Sequence, residues 1–422
     1  MMLNAMKNNR KKTIITAALL TVFFLLTIIL EQFISPTDRM SMLLTVLKKG
    51  AIYSLVAVAM NLLNGFTGLF SLGQAGFMLI GAYTYAIFTI PLADRESVYM
   101  YYGSAVKFSF PEVLQNVFGG PLSDERYVNL YFGMMLGVII AIILAGLIAA
   151  AVAFLIGLPV LRLKSDYLAI ATLGFAEIIR AVFQWGKLGP ITNGSNPLKS
   201  FVRQNAFMIK IGSVTISMGT FVIVFFVAIC IGLIVLLVNS SYGRAFKAIR
   251  EDEVAAEAMG INLYRHKQLS FCISSFFTGV SGALLAIFMA TVRAGDFKAA
   301  MTYEILLIVV LGGIGSISGS VIGSMLFVFA SEWWLRGLDS GTFLGISLPL
   351  FRNGFRLVVF SVIIMLVVLF FRKGIMGDKE LPYMLGQWKK NIINLMSWIR
   401  KKSQKINLVQ KTNKSKAGED ND

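Results

Sequence analysis

The sequence predicts an all-α fold, a polytopic membrane helix bundle with about ten hydrophobic segments, and three observations carry that prediction. Of 422 residues, 56% are hydrophobic and only 14% charged, which lies outside the range of soluble domains. Several charge-free runs reach the roughly 20 apolar residues that a bilayer core demands. Two apolar stretches are interrupted by one glycine pattern, Gly65-x-x-Gly68-x-x-Ser71 and Gly312-x-x-Gly315-x-x-Ser318, so two segments form broken pairs in corresponding positions.

A net charge of +17 would suit a nucleic-acid binder, but its placement does not. Four Lys/Arg lie between Lys7 and Lys12, and twelve between Arg372 and Lys416. Basic residues flanking spans mark the cytoplasmic side, so both termini are expected inside and no nucleic acid is expected as a partner. Cys230 and Cys272 lie within apolar runs, have no C-x-x-C company and read as small core residues.

Taken in order, residues 1–371 read as the transmembrane domain. Thr13 to Leu30 is an uncleaved first helix, too long for a signal peptide core and without a small-residue cleavage site before Glu31. Lys48-Lys49 interrupts the next apolar stretch, leaving Gly50 to Leu63, short for a crossing. A short descent, the first glycine break and a climb from Phe77 to Ile90 predict a discontinuous or re-entrant pair. Residues 91–129 are polar and mixed in charge and read as an external loop. Leu130 to Leu158 crosses inward, ended by Pro159, and Tyr167 to Trp185 returns. A second external loop, 189–212, turns at Asn193-Gly194. Val214 to Val238 crosses inward and Leu269 to Thr291 outward. Thr302 to Trp334 holds the second broken pair, and Phe355 to Phe371 is the last span. Residues 372–422 form a basic cytoplasmic tail. In it Trp388, Ile392, Leu395 and Ile399 make the apolar stripe of an interfacial helix on anionic lipid, and residues 410–422 are expected to be disordered.

Matching interruptions in the two halves of a transporter point to its translocation path. The residues are Gly65, Gly68, Ser71, Gln74 and Phe77, and Gly312, Gly315, Ser316 and Ser318. Small hydroxyls and exposed backbone at helix breaks suit a zwitterionic solute. The same glycines would equally let helices pack closely. Glu177 and Arg180, spaced i, i+3, read either as a pore wall or as an intrahelical pair. Arg293, Asp296 and Glu304 read as the rim of an outer mouth.

Asn239 to Lys267 is the longest internal polar segment with helical patterning. Ala245, Ala248, Ile249, Ala255, Ala256 and Met259 fall on one stripe, interrupted only by Asp252, with Gly260 as the stop. Acidic residues here would be repelled by anionic headgroups, so a protein partner fits better. No G-x-x-x-x-G-K-[ST] phosphate loop occurs, and His266 is the single histidine. Enzymatic activity, a metal site and a cofactor in this chain are not expected. Any ATP would be bound by a partner subunit.

The stretch GRAFKAIREDEVAAEAMGIN (243–262) resembles the cytoplasmic loop of LivM-type permease subunits of bacterial ABC importers for branched-chain amino acids. Residues 61–83, 161–181 and 303–324 agree with the same family in the same order. The resemblance implies that Arg244, Arg250, Glu251, Asp252, Glu253, Ala255, Ala256, Glu257 and Gly260 form the docking site of an ATPase subunit. It also implies a second homologous permease subunit, two ATP-binding subunits and an extracytoplasmic substrate-binding protein, in the bacterial cytoplasmic membrane. Val254 stands where the family's E-A-A-x-x-x-G pattern has Glu, and Pro197 stands where a glycine is expected. Related permeases carry urea, short amides or sugars. From other classes, an ion-coupled secondary carrier would need an acidic residue at midplane, where none is evident, and a membrane scaffold would carry no solute.

Overall fold

Long apolar helices and two interrupted ones make up the computed structural model, which describes residues 27–33, 41–118, 132–163, 165–211 and 214–334. Beyond these it describes only 342–343, 346–347, 362, 365 and 374–377. The chain divides into two units, Met1–Gly377 and Asp378–Asp422. Most of the first span, nearly all of Phe355 to Phe371 and the whole tail stripe lie outside the described residues.

The main helices are α1 (Ser41–Asn61), α2 (Gln74–Thr89), α3 (Phe132–Val160), α4 (Ser165–Gln184) and α5 (Gly219–Asn239). They are followed by α6 (Ser241–Glu251), α7 (Glu253–Ala258), α8 (Leu263–Met289), α9 (Ala299–Gly312) and α10 (Ile317–Phe329). Among the described residues, five helices are long and apolar enough to cross a membrane, and two shorter apolar ones, Ala299–Gly312 and Ile317–Trp333, accompany them. With the first and last expected spans almost wholly outside the described residues, the expected count of about ten is not confirmed.

At about 1.5 Å per residue α8 is about 40 Å long. It is the hub, packing against α1, α2 and α3. Its inward face is a ladder of small hydroxyls. The Ser270 and Thr67 hydroxyls share a hydrogen bond at 2.6 Å, Ser274 donates to the Ala59 carbonyl at 2.6 Å, Thr278 to Gln74 Oε1 at 2.6 Å and Ser281 to the Ile52 carbonyl at 3.1 Å. Such bonds average roughly 0.6 kcal/mol each in membrane helices, so dispersion must supply most of the association. Glycine makes that packing close. A Cβ on Gly81 would come within 1.9 Å of the Gly279 carbonyl, and one on Gly282 within 2.0 Å of the Met78 carbonyl.

Three sequence expectations are corrected here. Lys48-Lys49 does not shorten the second span: α1 continues through a π-helical turn, Leu62–Phe66, so that Ser41–Phe66 is one 26-residue helical run, long and apolar enough to cross a membrane. A lysine within a span costs about 2.5–3.5 kcal/mol on insertion scales. Partners offset that cost here: Lys48 lies 3.7 Å from the Glu31 carboxylate and donates to Gln204 Oε1 at 3.1 Å, while Lys49 pairs with Glu332. Second, the span expected from Val214 begins at Gly219. Val214–Ser217 instead pairs antiparallel with Met208–Ile211, following the period-2 pattern Val-Thr-Ile-Ser. Third, α8 starts six residues before Leu269, because the Asn262 side chain accepts from the Arg265 backbone N–H at 3.0 Å and caps it.

The segments 90–118, 185–211 and 214–218 lie at the end of the bundle opposite α6 and α7. Arg95 pins the first of them. Only 3% exposed, its guanidinium donates to the carbonyls of Ile87 (2.8 Å), Val106 (2.9 Å) and Phe108 (2.7 Å). Tyr99 ties the first two, donating to the Ile191 carbonyl at 2.8 Å. Burial pushes its phenol up to about 12, against the pull of Arg95, so it remains a donor at neutral pH.

Candidate functional site

The first break follows the π turn. Gly68 adopts a left-handed φ of +76°, which only glycine takes without strain. The chain then climbs: the Ser71 backbone N–H donates to Asn64 Oδ1 at 3.1 Å and that of Leu72 to Thr172 Oγ1 at 2.9 Å. At its top, Gln74 meets Thr278, and the Ala75 N–H donates to Thr302 Oγ1 at 3.1 Å. Thr278 lies about 22 Å along α8 from Leu263, so α2 begins halfway through the bundle. The second break is shorter. Gly313 and Gly315 take φ of +117° and +89°, and Ser316 Oγ caps α10 by accepting from Gly319 N–H at 3.0 Å.

The two breaks meet, and Asn61 is the clasp between them. Its side chain is fully buried. The amide donates to the Ser316 carbonyl (2.9 Å), to Ser320 Oγ (2.8 Å) and, more weakly, to the Gly313 carbonyl (3.3 Å). Its Oδ1 accepts from Gly315 N–H at 2.8 Å. A Cβ at Gly65 would lie 2.5 Å from the Gly315 nitrogen, so the first glycine of one motif abuts the second glycine of the other. Sequence reading paired the motifs without finding the clasp. Its signal was an amide side chain inside the apolar run from Gly50 to Leu63.

The other path residues are packed inside the bundle. Ser71, Gln74, Phe77 and Ser316 are buried, and Phe77 stacks edge-on against Phe271 at 5.6 Å. Gly312 backs onto Gly319, and Ser318 is half-buried near the Ser316 hydroxyl at 3.4 Å. As placed, these groups join helices.

The polar segment is two helices, not one rod. Asp252 is extended (φ −158°, ψ 113°), and its carboxylate caps α7 by accepting from Val254 N–H (2.8 Å) and Ala255 N–H (3.1 Å). Its charge cannot sit in an apolar stripe and serves better as a cap. Phe246, Ile249 and Ala256 face the bundle, whereas Val254 and Met259 are 79% and 83% exposed. Around them Arg244, Glu251, Glu257 and Ala255 are exposed. Glu253 pairs with Lys267 at 2.6 Å, and Gly260 ends the segment at φ +83°. Arg250 is the link inward. It pairs with Glu251 at 2.5 Å and donates from Nη1 to the Gly65 carbonyl at 2.8 Å, with Gly68 close against its stem.

Glu177 and Arg180 pair at 2.6 Å, and Glu177 also accepts from Ala299 N–H at 3.2 Å, capping α9. Arg293 and Asp296 pair at 2.8 Å beside it. Glu304 is not on the rim. It follows Thr302, which hydrogen-bonds at the depth of Ala75, so its backbone lies near mid-depth, and its side chain is exposed. It lines a cavity of about 300 Å³ with Lys49, Tyr53, Asp296 and Lys298. Among the described residues no group of three or more His, Cys, Asp or Glu is placed to hold a metal ion.

A family model described as branched-chain amino acid transport system / permease component matches residues 42–371. The chain is similar to the high-affinity branched-chain amino acid transport system permease protein LivM of Salmonella typhimurium, 32% identical over 302 residues. That match covers 67% of this chain and 61% of that protein. Similarity to the probable LivM of Methanocaldococcus jannaschii is lower, 23%, but runs over 82% of this chain and 95% of that one. The permease protein LivH of Salmonella typhimurium is 32% identical over 169 residues, 40% of this chain and 50% of its own length. No solved structure matches the chain at a significant level.

Proposed function

The chain belongs to the branched-chain amino acid transport system permease family, and from that premise we propose that it is a membrane subunit of an ATP-driven importer of branched-chain amino acids. The α6–α7 end faces the cytoplasm with both chain termini, and the end carrying the segments 90–118, 185–211 and 214–218 faces outward. Two ATP-binding subunits drive the assembly, a second homologous permease completes the path and an extracytoplasmic binding protein delivers the cargo. Similarity to relatives with two different permease names supports the pairing of unlike subunits.

One observation carries the mechanism: the Arg250 guanidinium on α6 holds the Gly65 carbonyl at the first break. A partner pressing on exposed Val254 and Met259 displaces α7 and, through Asp252, α6. Arg250 then pulls on a π-helical turn, where the backbone has already left the α-helical register. Gly65 lies against Gly315, and Asn61 clasps the second break, so one displacement reaches both. The breaks act as hinges of the path, and the path itself opens elsewhere.

Val254→Asp with Met259→Asp places two charges on the docking face without touching the core. In the assembled transporter this variant should lose at least tenfold in leucine uptake while the chain's own thermal stability is unchanged. Uptake at the parent rate would remove the segment from the mechanism. The depth of Glu304 favours one competing reading, an ion-coupled carrier with a midplane acid. Leucine uptake that survives ATP depletion and collapses with the ion gradient would select it.

A further inference from the structure

Four charged side chains line the cavity beside α9: Lys49, Asp296, Lys298 and Glu304. Two are already neutralised, Lys49 by Glu332 and Asp296 by Arg293. The other two, Lys298 and Glu304, are of opposite sign and make no ion pair within 4 Å among the described residues, although Glu304 shares the attraction of Lys49 with Glu332. A carboxylate exposed near mid-depth cannot face hydrocarbon without a large penalty, so this cavity must hold water or a polar solute. Its remaining wall is mostly apolar, with Leu285, Phe288, Met289, Phe297 and Met301, and is completed by Ala300 and Tyr53, which brings a phenol. At about 300 Å³ it stands at the small end of ligand pockets.

A small solute matching that wall carries one positive group, one negative group and a compact aliphatic part. We propose that the cavity is a binding site for a free amino acid with an apolar side chain. Glu304 receives the ammonium, Lys298 the carboxylate, and Phe288 and Met301 the side chain. The choice of amino acid as solute rests on the importer reading above. A sugar or urea would leave both charges unmatched, which disfavours them.

Met289, which lines the cavity and is 41% exposed, supplies the reporter. In the full chain in native membranes, Met289→Cys is labelled with a membrane-permeant thiol reagent, over the background of buried Cys230 and half-buried Cys272. Leucine should slow the labelling, whereas 4-methylpentanoate, which lacks the ammonium, and isoamylamine, which lacks the carboxylate, should not. Adding Glu304→Gln or Lys298→Gln should raise the protective leucine concentration at least tenfold, with Glu304→Asp recovering most of the effect. Tyr303→Phe, on the same helix and outside the cavity lining, should leave protection unchanged. In Glu304→Gln, 4-methylpentanoate should compete as well as leucine, a change of selectivity that a merely structural defect would not produce.

Protection that is absent in the Met289→Cys parent, or indifferent to both substitutions, overturns the site. ATP-dependent leucine uptake measured in the same membranes separates the two ideas. Uptake without protection sinks the site alone, and protection without uptake keeps the site and sinks the importer reading.

Discussion

Asn61 shows how much one side chain can carry in a bilayer. It serves three acceptors and one donor across the second break. Asn61→Leu would fill a similar volume and leave the Gly315 N–H without its acceptor, while the Ser316 carbonyl keeps the Ser320 N–H and hydroxyl. One such group costs about 1–3 kcal/mol, so the variant should unfold at lower temperature in detergent, by about that much. Asn61→Asp keeps the acceptor for Gly315 but sets a buried carboxylate oxygen against the Ser316 and Gly313 carbonyls, and should fall at least as far. Equal melting of Asn61→Leu and the parent would mean that the breaks are held by packing alone. The residue was visible in the sequence as a polar group in an apolar run, yet its partners lie more than 250 positions away, where no local pattern reaches. Phe246 was overlooked for the opposite reason. It is fully buried under α6, but an alanine stripe beside it matched the helical period well enough to hide it.

At the scale of elements, α8 separates two kinds of interaction that look alike on paper. Removing one rung of its hydroxyl ladder with Ser274→Ala should cost only about 0.6 kcal/mol, because the Ala59 carbonyl keeps its place in a helix. Gly282→Val instead drives a branched side chain into the Met78 carbonyl of α2. That contact cannot relax without parting two helices, so the variant should lose several times as much, read by thermal unfolding of the paired variants. Similar losses from both would reverse the roles of hydrogen bonding and close approach. The sequence showed these helices well where hydropathy alone defines them: α3 and α4 lie within a few residues of their expected limits, and α5 ends one residue from its own. It failed where charge was taken as punctuation. Lys48-Lys49 sits inside a helix because acids from elsewhere meet it, and Asp252 divides a helix that the apolar stripe had joined.

For the whole molecule, the glycine motifs gave the correspondence of the two breaks from spacing alone, and their second glycines do share a left-handed turn. Their depths were not legible. Spacing says where a helix stops, while the level at which it restarts depends on Thr278 and Thr302, residues with no motif of their own. The cavity with Glu304 and Lys298 was hidden for the same reason, since its walls come from three separate helices.

The pairing of Lys49 with Glu332 also bears on how the chain is made. During synthesis the lysine reaches the membrane 283 residues before its counter-ion exists. Until then the outer turns of the nascent helix must stay in the headgroup layer, with the ammonium in water. Insertion of this span is therefore finished late, by the arrival of the C-terminal third. A ribosome-bound chain stopped before Ile317 should leave a cysteine placed at Ser41 or Thr45 open to aqueous alkylation, and release of the full chain should close it.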